Sequence, residues 1–241
     1  MTLSLARLAL SALLISSVWT LGSASTARAV PVCGGGICTF TLGTSGWDIQ
    51  VLESFVTGGL VDFVVDTETA TTVEIEKSAE FLSNNTIPVT FVQTSASAVP
   101  TIIFNDIILK NTTGTDWIGF VEEILGSGDA VFDPVSTGTP CTGIGVPNPC
   151  IEIDPFTTAV FSNGNTKWEV SDGVVLDGNV WIAGVSPVNG MLFIDTILGQ
   201  GTAQDPFTVF HLKETPVPVP EPSSLLLAAL GIGGIALRRR L

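Results

Sequence analysis

Between residues 30 and 215 the apolar side chains never settle into the three-and-four spacing that a helix needs. Short apolar or alternating runs recur instead, each closed by turn-forming residues. They lie at 47–53, 59–65, 72–77, 87–94, 101–110, 117–124, 159–161, 166–170, 180–183, 191–196 and 207–212. Val73-Glu-Ile-Glu76 alternates apolar and charged residues, as a sheet with one wet face requires. Asn111-Thr-Thr-Gly114, Asp172-Gly173, Asp177-Gly178 and Asn189-Gly190 are turn signals. Strands at this spacing predict an all-β body over 30–215, an antiparallel β-sandwich or jelly-roll-like domain. Only within 115–128 does a short helix, around 121–125, compete with a strand.

Charge narrows the partners of that body. Of nine Lys and Arg, Arg7 and Arg28 lie near the start and Arg238, Arg239 and Arg240 at the end. Lys77, Lys110, Lys167 and Lys213 are left against all 23 acidic residues, a net of −19 over 30–222. Such a body repels phosphate backbones, so nucleic acid is excluded as a partner. The 13 Phe, with Trp47, Trp117, Trp168 and Trp181, supply enough apolar bulk for a folded core despite the charge.

The two ends read as processing signals. Residues 1–29 form a secretory signal peptide. Arg7 gives the positive start, 8–15 the apolar stretch, and Ala27-Arg28-Ala29 the small-x-small pattern that signal peptidase accepts. At the other end, Pro216, Pro218, Pro220 and Pro222 alternate with other residues, which favours an extended linker and blocks a helix. Residues 223–237 then form a short apolar segment, about 22 Å long as a helix. A hydrocarbon core is about 30 Å thick. Spanning it therefore needs snorkelling by Arg238, Arg239 and Arg240, or local thinning of the bilayer. Gly231, Gly233 and Gly234 further suit a transient anchor over a permanent one. Both positive clusters stay in the cytoplasm, which puts the body outside.

Pro220-Glu221-Pro222, the Leu/Ala/Gly-rich segment and the terminal Arg run, in that order, resemble the PEP-CTERM sorting signal of proteins exported by Gram-negative bacteria. The resemblance implies cutting near Pro-Glu-Pro by an exosortase, a membrane-embedded transpeptidase-like enzyme. It also implies an association with extracellular polysaccharide or biofilm. The stretch 111–120, an Asn/Thr/Gly turn before a Trp-bearing strand, is similar to a segment in many such proteins. The division is thus 1–29 signal peptide, 30–215 β body and 216–241 sorting signal. The expected partners are signal peptidase, an exosortase-type enzyme, the membrane in passing, and extracellular polysaccharide.

The remaining candidate chemistry is sparse. Cys33, Cys38, Cys141 and Cys150 are an even set in an exported chain, which suggests disulfides. Of the three pairings, Cys33–Cys38 with Cys141–Cys150 closes the shortest loops, and the crossed ones stay open. Their spacings fit the common zinc patterns poorly. His211 is the single His, expected at a surface or sheet edge. It would have to serve any Ser-His-Asp triad, and no nucleophile elbow, P-loop or dinucleotide fingerprint accompanies it. No catalytic residue or cofactor is assigned. Calcium is the best candidate ligand, at Asp172, Asp177 and Asn179, whose oxygens suit a hard cation. Asn84 and Asn111 fit the glycosylation pattern. Glu122 and Glu123 are adjacent, expected on opposite faces of a strand, and read as part of a solvated acidic surface. The leading expectation is an exported, non-enzymatic surface or matrix-associated protein. The alternatives are a carbohydrate-binding module using the Trp residues and an exported hydrolase using a carboxylate pair.

Overall fold

The protein is described here by a computed structural model covering residues 27–126, 128–141, 149–184 and 191–220. The tail from Glu221, Pro222 through Arg238, Arg239 and Arg240, residues 1–26 of the expected signal peptide, and the expected turn at Asn189-Gly190 lie outside the described residues. Among the described residues no helix is long and apolar enough to cross a membrane.

In chain order the strands begin with β1 Ala27–Arg28, β2 Val32–Gly34, β3 Ile37–Thr41, β4 Trp47–Leu52, β5 Val61–Glu68 and β6 Thr72–Phe81. Next come β7 Ile87–Gln93, β8 Thr101–Asn111, β9 Trp117–Gly126, β10 Ala130–Phe132, β11 Thr139–Pro140 and β12 Cys150–Ile151. The last are β13 Thr158–Ser162, β14 Lys167–Val175, β15 Val180–Ala183, β16 Leu192–Thr196 and β17 Val209–Pro218. Two single-turn helices, α1 Glu53–Thr57 and α2 Pro134–Thr137, interrupt them.

The strands form a sandwich. One sheet runs β1-β5-β6-β8-β16-β10, with β15 also paired to β8; the other runs β13-β14-β9-β17-β7-β4-β3-β2. Pairing within both is antiparallel except for β6 with β8. The exception follows from the path: after β6 the chain crosses to the second sheet as β7 and returns as β8, which brings it back in the same direction. β11 and β12 form a separate parallel pair.

Alternation along each strand decides what faces inward. β6 buries every second residue from Val73 to Phe81. The segment 115–128 is strand, not helix. β9 pairs with β14 on one side and β17 on the other, which no helical segment could do. Between the sheets, Phe40 meets Phe63, Phe91 meets Phe104, and Phe120 meets both Phe81 and Trp181. Phe81–Trp117 is an edge-on contact with centroids 5.5 Å apart, the preferred arrangement for aromatic quadrupoles.

Asp172-Gly173 is a bulge inside β14 and does not end a strand. Register breaks between Ser171 and Val175, and Asp172 takes a positive φ of 59°. A Cβ on Gly173 would lie 2.2 Å from the Pro155 carbonyl oxygen, so the extra residue is accommodated only by glycine.

Candidate functional site

Strand β17 connects the core to the sorting tail. It lies between β9 and β7, but its pairing with β7 ends at Glu214, whereas pairing with β9 continues to Pro218. The Val219 amide donates to the Asp116 carbonyl at 2.8 Å. Since donors alternate sides along a strand, the nitrogens of Pro216 and Pro218 face the side that β7 has left. Proline is tolerated there because no ladder bond is lost. The extended linker expected from Pro216 therefore starts as sheet, and the chain departs from the fold only at Val219 and Pro220, both exposed.

The PEP-CTERM protein-sorting motif matches residues 218–240. The chain carries a PEP-CTERM sorting signal. The motif's first residue, Pro218, is also the last residue of β17, so the signal begins where the final strand ends. No curated protein and no solved structure matches the chain. The PEP-CTERM signal supports exosortase-dependent export through a membrane-anchored intermediate.

At the start of the chain, Arg28 pairs with Asp62 at 3.0 Å and β1 pairs with β5 through Ala27 and Arg28. A peptidase cut at the expected position after Ala29 would remove β1 and this ion pair and leave the exposed Val30 as the first residue.

A second feature sits on the same exit strand. Glu214 on β17 and Glu122 on β9 are directly opposed in register, and both side chains point into the sandwich. Lys77 reaches them from β6 in the facing sheet. Its Nζ donates to Glu122 Oε1 at 2.8 Å and to Glu214 Oε1, and lies 5.2 Å from the centre of the Phe104 ring. All three residues are 0 % exposed. With all three ionised, the cluster would hold a net negative charge away from water, a costly state. Burial raises the Glu214 carboxyl to about 7, against the attraction of Lys77 and with help from the Glu122 charge. Burial alone would lower the Lys77 ammonium, but the two carboxylates outweigh it and leave it raised. Among the described residues Glu122 Oε2 and Glu214 Oε2 have no hydrogen-bond partner.

Glu122 is therefore not part of a solvated acidic surface. Only Glu123 faces out, 3.7 Å from Lys213. The alternation that placed the strands also contained this signal. Lys77 shares parity with Val73 and Ile75, Glu122 with Phe120 and Ile124, and Glu214 with Phe210 and Leu212. Being sealed from solvent, the Glu122–Glu214 pair is closed to any substrate.

Cys33 is bonded to Cys38 across the β2–β3 hairpin, and Cys141 to Cys150 beside the β11–β12 pair. His211 is at the surface but on a central strand, with Nδ1 2.9 Å from Thr90 Oγ1. Trp47, Trp117, Trp168 and Trp181 are all buried and form no surface platform. Asp172 accepts from the Thr158 hydroxyl, Asp177 from the Gly114 amide, and the Asn179 carbonyl from the Asn111 amide. These oxygens hold turns and a bulge. Among the described residues no group of three or more His, Cys, Asp or Glu is placed to hold a metal ion.

Asn111 is fully buried and closed to glycosylation. Its carboxamide donates to the carbonyls of Thr115 and Val175 and accepts from Thr113, fixing the turn before β9. Asn84 donates to the Thr115 hydroxyl in the same corner. Asn111→Ala strands those carbonyls and is expected to cost about 1–3 kcal/mol. Chemical denaturation measures this, and an unchanged midpoint would contradict it.

Proposed function

We propose that this chain is a non-enzymatic surface or extracellular-matrix-associated protein, handed over as a folded β-sandwich and cut from its anchor near Pro220-Glu221-Pro222. Signal peptidase releases the N-terminal end. An exosortase-type enzyme acts at the other, with extracellular polysaccharide as the expected neighbour of the product.

The observation that carries the proposal is the position of the motif. It starts at the last residue of β17, so the Pro-Glu-Pro strip lies immediately beyond the sheet. A processing enzyme needs extended, unpaired backbone, and Pro220 and Pro222, beyond the last strand, favour it and oppose a helix. The short tail then needs to hold the protein only until the cut.

The test is the fate of Glu221→Ala in a host that has the processing enzyme. The expected result is a tail-bearing chain that accumulates in the membrane fraction, while the unsubstituted chain loses its tail. Equal processing of both chains, or equal processing in a host lacking the enzyme, would overturn the proposal.

A further inference from the structure

We propose that Lys77 and Glu214 condense to an intramolecular amide, with Glu122 as the proton acceptor, and so staple the two sheets together covalently. This inference stands on the interior of the sandwich and is independent of how the tail is processed.

Three conditions for amide formation coincide. The amine and the carboxyl are held in hydrogen-bonding contact inside a packed core, which replaces a bimolecular encounter with a positioned pair. The site is dry, so both the separated ions and the hydrolysing water are disfavoured. A second carboxylate touches the same nitrogen at 2.8 Å, placed to take its proton.

The step balances without any co-reactant. It starts from the Lys77 ammonium, the Glu122 carboxylate and the Glu214 carboxylic acid. Lys77 gives one proton to Glu122, and the free amine attacks Glu214 Cδ. A C–N bond forms and the C–OH bond of Glu214 breaks. The departing hydroxyl takes a second proton from the nitrogen and leaves as water. The product is a neutral amide beside a neutral Glu122.

That product has one carboxyl oxygen fewer to satisfy than the free triad, which leaves two without partners among the described residues. One carboxyl oxygen of Glu214 departs with the water. The amide N–H then donates to the Glu122 carboxyl, which carries the proton Lys77 gave up and bears no charge. No charge remains in the core.

The residues joined are 137 apart in sequence, and one of them lies on the strand that leads to the sorting signal. Pull applied through the C-terminal end would free residues 215–218 and then meet the amide at Glu214, which holds the rest of β17 to the facing sheet.

Mass spectrometry of the denatured, reduced full chain tests this. The expected mass is one water below that of the sequence recovered. Trypsin should yield a branched peptide joining the segment through Lys77 to one that begins at Glu214. Glu122→Gln, which keeps a hydrogen-bonding group but cannot take the proton, should fold with an unchanged circular dichroism spectrum and show neither sign. An unsubstituted chain at full mass with a free Lys77 amine would overturn the proposal, and a branch at Glu122 would overturn the assignment of Glu214.

Discussion

Lys77→Met is expected to lower the stability of the fold by about 3–5 kcal/mol, the cost of breaking a buried ion pair from one side. Met nearly matches the aliphatic stem, so little packing is lost. What is lost is the cation between two opposed carboxylates that water does not reach. A covalent amide, once formed, would be lost as well, which adds to the effect in the same direction. Replacing all three residues, as Lys77→Met with Glu122→Leu and Glu214→Leu, should restore most of the stability, because an apolar core of similar volume is often no worse than a buried ion pair. Denaturant midpoints of the single and triple variants measure both. A single variant as stable as the parent would contradict the buried triad.

The dependence on pH should be equally large, with stability falling as pH rises from about 4.5 to about 7. Glu214 titrates at about 7 in the folded chain, against 4.5 for an ordinary glutamate. Between those values the folded state keeps a proton that the unfolded state has released. The stabilisation is fully present below about 4.5 and is lost as pH rises through about 7. Its size is about 3 kcal/mol, from about 1.4 kcal/mol per pH unit. Lys77, raised in the fold, acts in the same sense at higher pH, losing its contribution as it deprotonates. Asp133, lowered by its hydrogen bonds to Ser136 and Val135 against the effect of burial, opposes this in acid. Thermal unfolding between pH 5 and pH 9 reads the trend. In a chain joined at Lys77 and Glu214 the Glu214 carboxyl no longer exists, and that arm of the profile should flatten.

Most of the sandwich was legible because strand alternation is a local property. Each run read from the sequence became a strand, including 180–183, which matches β15 at both ends. Strands such as β2, β10 and β12 were not legible, because two or three residues carry no period. The parallel β6–β8 pair was also hidden, since it depends on which sheet β7 joins, a choice made by tertiary packing. The sorting signal was legible because its parts are contiguous. The triad was not seen as a unit because its members lie on strands far apart in sequence, and a charged residue reads as solvated until its parity is compared with its neighbours. In the sequence Pro216 and Pro218 read as linker because proline opposes strands in general. The early end of β7, which makes them acceptable in β17, appears only in the pairing.

The central claim is that the body is exported and released from its C-terminal tail. Intact mass of the protein recovered from the culture medium tests it most directly. A mass for a chain running from Val30 to near Pro222 is the predicted result. A mass that still includes residues 223–241 would mean that the tail is a permanent anchor and would contradict the account.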